Sequence, residues 1–263
     1  MSFSVDNKCQ NWRTSVPSVS RRPKAIKACR PSNSTSRYSN LAESCGVSAN
    51  GTGIAASFNE ISRIAADASG NVYVAEAGNY LIRKITPAGV VTTLAGGGPT
   101  GDISCVVNGT GTQASFCEEI SSIAADALGN VYVAEGSMIR KITPAGVVTT
   151  LAGSEAARGS ANGTGTQASF SYLLGIAVDP SGNVFVADAG NYLIRKITPA
   201  GVVTTIAGSG ESGTTNGKGK AASFDFSRYD SSIIKVDSVG NLYVLKQGYG
   251  GINPIRKITF VKP

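Results

Sequence analysis

Three acidic residues, Glu76, Glu135 and Asp188, occupy equivalent places in a recurring stretch and could bind a metal ion. Each ends an alternating apolar segment, written VYVAE, VYVAE and VFVAD. Carboxylate oxygens are ligands that hard divalent cations prefer, so three of them facing one axis would form a cation site. The fourth copy, YVLK, has Lys246 at this place. The alternative hypothesis is structural: the acids cap loop amides and pair with nearby bases, and Lys246 neutralises them.

The composition excludes several kinds of catalytic site. The chain of 263 residues contains no histidine, which rules out Ser–His and Cys–His nucleophile pairs and His-ligated zinc or iron. No residues are spaced as a convincing acid and base pair, so we expect no enzymatic activity and, apart from that divalent cation, no cofactor.

The five cysteines lack the C-x-x-C spacing typical of zinc sites. Cys105 and Cys117 could form a disulfide across the longest loop, and Cys9 could pair with Cys29, which would leave Cys45 over. Free thiols are the alternative.

Arginine–lysine pairs recur in the motif IRKIT. They are Arg83-Lys84, Arg140-Lys141, Arg195-Lys196 and Arg256-Lys257. Repeated basic pairs suggest nucleic-acid binding, but no aromatic residue stands beside them for base stacking. We therefore expect them to run along the sheet surfaces and pair with the acids, with packed stems and solvated heads.

The triplet N-G-T recurs at Asn50, Asn108 and Asn162, and N-S-T occurs at Asn33. These triplets match the glycosylation sequon. Because three of the four lie in one repeated turn, turn chemistry explains them without a sugar.

All these residues belong to four copies of one unit. The unit is marked by a G-N dipeptide whose asparagines, Asn71, Asn130, Asn183 and Asn241, lie 59, 53 and 58 residues apart. Each copy reads as four strands, of which SRIAAD, GNVYVAE, LIRKIT and VVTTLAG are the first set. The D-x-x-G linker predicts a tight turn in which Asp caps its own backbone and Gly takes positive φ.

An isolated four-stranded sheet of this size would leave both faces in water. Copies packed face to face around an axis bury those faces, which predicts an all-β fold: a β-propeller of four four-stranded blades.

The stretch GIAVDPSGNVFVADAGNYLIRKITPAGVVTTIAG at 175–208, with its three sister copies, resembles the NHL repeat family of β-propellers. The resemblance covers about residues 38–263. It implies the fold but leaves function open, because the family includes interaction platforms, RNA binders and some enzymes. Lyases of the NHL type use a histidine-ligated metal and match poorly, whereas lactonase-like propellers use carboxylate and amide ligands.

The ring is expected to close through its termini. The fourth copy stops after IRKIT, and the segment RYSNLAE at 37–43 aligns with the missing fourth strand VVTTLAG. We predict that residues 37–43 pair with the blade formed by residues 231–260, which would cover an open sheet edge. The rival arrangement is an open arc that closes only with a second chain.

Residues 1–36 form a basic arm that precedes the propeller domain, 37–263. The net charge of +7 is concentrated here, because residues 1–37 hold eight basic residues and one acid, and the remainder is neutral. Its composition predicts an extended or disordered segment. The residues expected to bind a partner are Trp12, Arg13, Arg21, Arg22, Lys24, Lys27 and Arg30.

Three functions remain open at this point. The first is a non-catalytic structural or protein-interaction module, tethered by its arm into a larger assembly such as a virus particle or a surface layer. The second is a metal-dependent lactonase or hydrolase. The third is binding of nucleic acid or an anionic surface through residues 1–36. The opening MSFSVDNKCQNW has no apolar signal region, and no apolar run reaches the length of a membrane span, so the cytoplasm or an assembled particle is expected.

Overall fold

The computed structural model describes residues 43–44, 47–97, 106–116, 120–226, 231–247 and 254–260. These residues form an all-β propeller of four antiparallel sheets, the blades, as the repeats predicted. Its helices are single 3-10 turns: Gly53–Ala55, Gly111–Gln113, Gly165–Gln167, Ala189–Asn191 and Gly219–Ala221. In the described part of the chain, no helix is long and apolar enough to cross a membrane.

The first blade and the segment around its entrance contain seven strands. The strands are β1 (Glu43–Ser44), β2 (Gly51–Thr52), β3 (Ser57–Phe58), β4 (Ile61–Ala66), β5 (Val72–Glu76), β6 (Leu81–Ile85) and β7 (Val90–Gly96). The blade has the order β2-β7-β6-β5-β4, and β1 pairs with β3 in parallel outside it.

The second and third blades repeat this five-stranded order. The second contains β8 (Gly109–Thr110), β9 (Ile120–Ala125), β10 (Val131–Glu135), β11 (Met138–Ile142) and β12 (Val147–Gly153). The third contains β13 (Gly163–Thr164), β14 (Leu173–Val178), β15 (Val184–Asp188), β16 (Leu193–Ile197) and β17 (Val202–Ala207). The long strands are the four predicted for each unit. The two-residue outer strand was not predicted; it comes from the N-G-T triplet and pairs with the fourth long strand.

Three strands of the fourth blade lie within the described residues. Its described strands are β18 (Ser231–Val236), β19 (Leu242–Gln247) and β20 (Ile255–Ile258), in that order across the sheet.

The tight turn between the first two long strands has the predicted chemistry. In the second blade, Asp126 Oδ1 accepts the backbone N–H groups of Leu128 and Asn130, each at 2.9 Å. Its Oδ2 accepts the Asn130 side-chain amide at 2.8 Å and the Tyr132 hydroxyl at 3.1 Å. Gly129 has a φ of 78°, as the turn requires. In each blade, the hydrogen bond from the asparagine to the aspartate four residues before it thereby fixes the two ends of the turn.

The apolar core lies between the blades. The innermost strands pack in succession, β4 on β9, β9 on β14 and β14 on β18. At the first junction, Tyr73 and Ile82 of one blade are buried with Phe116, Ile123 and Val133 of the next. The second and third junctions repeat this arrangement with equivalent residues. Each blade is therefore held chiefly by the burial of its faces against its neighbours.

Of the predicted closing strand, residues 37–43, only Glu43 lies within the described residues, so the closure stays a prediction. Glu43 and Ser44 pair with Ser57 and Phe58, at the entrance to the first blade, and not with β20. Residues 37–42 lie outside the described residues. Within the described ranges, each apolar cluster joins consecutive blades or stays within the first, and none links the fourth blade to the first.

Candidate functional site

The three carboxylates singled out by the sequence are completely buried and bound to arginines. Glu76, Glu135 and Asp188 are the last residues of β5, β10 and β15, and their exposed fractions are all 0%. Each accepts a hydrogen bond from an arginine of the next strand of its own blade. The nitrogen–oxygen distances are 2.5 Å for Arg83–Glu76, 2.9 Å for Arg140–Glu135 and 2.7 Å for Arg195–Asp188.

Strand register places each pair on one face of its blade. In the second blade Arg140 lies directly opposite Val133 on the neighbouring strand. Glu135 is two residues beyond Val133, so the alternation of side chains puts it on the same face, diagonal to Arg140. The sequence spacing VYVAE followed by IRKI therefore places the pair on one face, although the pairing with the outer neighbouring strands shifts register at Ala134/Glu135 and at Ile139/Arg140.

A loop that precedes each blade completes the surroundings of the arginine. Arg140 Nη2 donates to Asn108 Oδ1 at 3.0 Å and to the carbonyl of Val107 at 3.1 Å. The guanidinium carbon lies 5.4 Å from the ring centroid of Phe116, in cation–π contact. The arginine is thus enclosed by an acid, an amide, a carbonyl and an aromatic ring.

The first and third blades contain the same unit. Arg83 contacts Asn50, Ala49 and Phe58, and Arg195 contacts Asn162, Ala161 and Phe170. The asparagine in every case belongs to N-G-T. These triplets therefore recur because their amide oxygens accept from a buried arginine, a role that the turn interpretation did not identify.

One donor of each arginine has no partner. The Nε atoms of Arg83, Arg140 and Arg195 are buried and form no hydrogen bond with the described protein atoms. A buried unsatisfied donor costs about 1–3 kcal/mol. The arginines hence retain a local cost that the surrounding hydrogen bonds and packing must offset.

Burial also acts on the Asp188 carboxyl. It raises the pKa of the Asp188 carboxyl above its ordinary value, whereas hydrogen bonds from the Ser171 backbone, the Asn191 amide and Arg195 act to lower it. The arginine and the amides thus keep the buried carboxylate paired and hydrogen-bonded, in place of water.

The fourth blade reverses the positions of the charges. Lys246 occupies the place of the acids, and its Nζ donates to Asp225 Oδ2 at 2.5 Å. Arg256 keeps the rest of the unit: it contacts Asn216, the Thr215 carbonyl and the ring of Phe224. Lys246 therefore pairs with Asp225, an acid of its own blade, a partner that the sequence hypothesis of Lys246 neutralising the three carboxylates did not identify.

The divalent-cation hypothesis requires the three carboxylates to converge on one ion. Each is held instead by a separate arginine in a separate blade. Over the described ranges, no three or more His, Cys, Asp or Glu side chains are grouped so as to hold a metal.

The prediction for the Arg-Lys pairs was right about their partners and wrong about their exposure. Arg83, Arg140 and Arg195 pair with the acids but are 0–1% exposed, because the preceding loop covers their heads, whereas Arg256 is partly exposed. The neighbouring lysines lie over tyrosine rings, Lys84 at 6.0 Å from Tyr73 and Lys141 at 5.8 Å from Tyr132.

The remaining predicted site residues lie outside the described ranges. They are the arm residues Trp12, Arg13, Arg21, Arg22, Lys24, Lys27 and Arg30, and the cysteines Cys105 and Cys117.

Four repeated blades with radially packed faces define a β-propeller. Residues 170–197, the first three long strands of the third blade and the approach to them, match the NHL repeat. The resemblance seen in the sequence is thereby confirmed: this part of the third blade matches the NHL repeat, and the described residues form a four-bladed β-propeller. No curated protein matches it in sequence.

Solved structures of similar fold include three from Bacteroides species. A protein of unknown function from Bacteroides thetaiotaomicron is 21% identical with a TM-score of 0.55, over 70% of this chain and 44% of that one. Auxiliary nutrient binding proteins from Bacteroides thetaiotaomicron and Bacteroides ovatus are 16% and 18% identical, with TM-scores of 0.54 and 0.51, over 74% and 71% of this chain and 46% of each of theirs. The chain spans less than half the length of these structures, and at such identities the likeness shows the fold alone.

Proposed function

We propose that the protein is a non-catalytic interaction module, a rigid propeller that its basic N-terminal arm tethers to a protein partner in a larger assembly. The observation that supports this most directly is the state of the repeated carboxylates. All three acidic side chains that could have bound a metal ion form buried ion pairs with arginine instead.

The competing hydrolase hypothesis would need these acids as metal ligands. A cation at Glu135 would have to displace Arg140, whose guanidinium would then remain buried and without a counter-charge. Leaving a buried charge uncompensated costs about 3–5 kcal/mol. A metal role for the acids is therefore opposed by the same contacts that hold each blade together.

The propeller also has the character of a platform. Its blades interlock through equivalent buried faces, while the described loops that precede the third and fourth blades differ in sequence and are largely exposed. The loops at 154–162 and 209–218 read SEAARGSAN and SGESGTTNGK. Unlike loops on a repeated scaffold are a common place for recognition.

The charge of the N-terminal arm supports its role as a tether. Residues 1–37 hold eight basic residues and one acid, against a neutral remainder. A segment rich in Arg and Lys with one Trp suits an acidic protein surface, because Arg and Trp are frequent anchors at interfaces.

Site-specific photo-crosslinking tests the tether. A photoreactive residue replaces Trp12 in the full chain, which is expressed in cells and irradiated. We expect discrete crosslinks to protein, and we expect the double variant Arg21→Glu/Arg22→Glu to lose them. The control reverses two basic residues of the blades, Lys84→Glu/Lys141→Glu, and should crosslink normally. Crosslinks to nucleic acid, or none, would refute the protein tether.

The non-catalytic part has a separate test. Calcium, magnesium and manganese are each added to the purified chain while its melting temperature is followed. No shift is expected, because the acids are already paired. A rise that Glu135→Gln abolishes would establish a metal site and overturn the proposal.

A further inference from the structure

The two end blades carry matching apolar residues that the internal junctions bury. Each internal junction brings an isoleucine of the third long strand of one blade into the same cluster as an isoleucine of the first long strand of the next. The pairs are Ile82 with Ile123, Ile139 with Ile176, and Ile194 with Ile234.

The fourth pair in this series is Ile255 with Ile64, and it is not formed. Ile255 is 71% exposed, whereas its equivalents Ile82, Ile139 and Ile194 are 0% exposed. Ile64 is 67% exposed, whereas Ile123 is 6% and Ile176 is 3% exposed. The fourth blade thus presents an unused outgoing face, and the first blade presents an unused incoming face.

The exposure extends beyond one residue at each end. Beside Ile64, Ile61 is 49% exposed, although its equivalent Ile120 is 4% exposed. On the fourth blade, Ile233 is 40% exposed as well. Ile233 and Ile255 lie on one face of the fourth blade, because strand register places Leu245 between them, and exposed apolar side chains grouped on one face are typical of an interaction site.

We propose that these two faces bind each other between two copies of the chain, head to tail, so that the fourth blade of one copy packs on the first blade of the other. The partner is specified by continuity with the internal junctions. Three times within the chain, the face that contains the equivalent of Ile255 packs on the face that contains the equivalent of Ile64. A second copy brings the same two faces together, and two copies satisfy both ends of each chain in one closed pair. This proposal is independent of the arm and of its partner.

Sedimentation of the full chain over a range of concentrations tests the proposal. We expect a reversible dimer. Ile64→Glu and Ile255→Glu should each weaken it about tenfold or more, because each places a charge in an apolar junction. The matched control is Leu128→Glu, at an 81% exposed site on the turn of the second blade, which should leave the dimer unchanged. Circular dichroism spectra equal to that of the native chain will show that the variants fold.

A mixing experiment tests the head-to-tail geometry. Ile64→Glu chains retain Ile255, and Ile255→Glu chains retain Ile64, so a mixture can form one intact junction between unlike chains. The mixture should therefore associate more strongly than either variant alone. A native chain that stays monomeric at every concentration, a dimer that neither variant weakens, or a mixture no stronger than its parts would each overturn the proposal.

Discussion

Arg140 of β11 and Glu135 of β10 form a 2.9 Å ion pair in which neither side chain reaches solvent. The pair recurs in the first and third blades, at the same places in the strands. The buried pairs show that the recurring acids Glu76, Glu135 and Asp188 belong to the internal structure of their blades. Their repetition reflects repeated architecture.

The ion pair should be costly to break from either side. Glu135→Gln or Arg140→Met leaves one buried charge unpaired, so each is expected to lower the free energy of unfolding by about 3–5 kcal/mol. The double variant Glu135→Leu/Arg140→Met removes both charges and should recover much of that loss. Urea denaturation measures all three, with Glu155→Gln at an exposed site as the control. A single variant within about 1 kcal/mol of the native chain would contradict the role given to the pair.

The asparagine of N-G-T should matter in proportion to the burial of its arginine. Asn108→Ala removes an acceptor from Arg140 and is expected to cost about 1–3 kcal/mol. Asn216→Ala is the matched comparison, because Asn216 makes the same contact at 3.0 Å to Arg256, which is partly exposed. Water can replace the lost acceptor there, so the fourth blade should respond less. Equal losses in chemical denaturation would show that burial of the arginine is not the deciding factor.

The turn aspartate of the fourth blade should make stability depend on pH. The side-chain amide of Asn241 lowers the pKa of Asp237 below its ordinary value of 3.8, assisted by backbone N–H groups. A carboxyl with a lower pKa in the folded state stabilises the protein above the unfolded pKa, and this contribution is lost as the pH falls through the folded pKa. Asp237→Asn should therefore flatten the decline in stability between about pH 5 and pH 3, followed by urea denaturation. Parallel curves for variant and native chain would count against it.

Two glycines with positive φ allow the cost of backbone strain to be measured apart from the cost of a steric clash. Gly153 ends β12 with a φ of 86°, and a Cβ there would lie 2.3 Å from the Ser137 carbonyl oxygen. Gly210 has a φ of 89° with nothing within 4 Å of such a Cβ. Gly153→Ala should lower the melting temperature considerably, whereas Gly210→Ala should cost only about 1–2 kcal/mol of left-handed strain. Similar losses in the two variants would mean that the carbonyl moves aside.

Much of the fold was predictable because its signals are local. The turn at Asp126 and Gly129 and the alternation of the following strand lie within ten residues, and they recur in every blade. The contents of the candidate site were less predictable. The burial of Arg140 depends on Asn108 and Phe116, which come from a loop more than twenty residues earlier, and nothing in the spacing alone indicates that this loop folds back over the strand.

The closing strand at the ends of the propeller stays a prediction. The alignment of residues 37–43 with VVTTLAG gave a plausible closing strand, but pattern similarity does not specify which blade a strand joins. Among the described residues, Glu43 and Ser44 pair in parallel with Ser57 and Phe58, and Arg158 forms the corresponding parallel bridge with Phe170 before the third blade.

The hairpins β6–β7 and β11–β12 share the sequence IRKITPAGVVTTLAG. The folding chain therefore contains two hairpins of identical sequence that belong to different blades. The connections leading into them differ: four residues, 77–80, separate β5 from β6, and two residues, 136–137, separate β10 from β11. The shorter link confines its hairpin to the adjacent strand, since the loss of chain entropy on closure is smaller for a shorter loop. Both links are short compared with residues 77–137, the loop that would separate β5 from β11 in an exchanged pairing, so the entropy of loop closure favours the native partner in both blades.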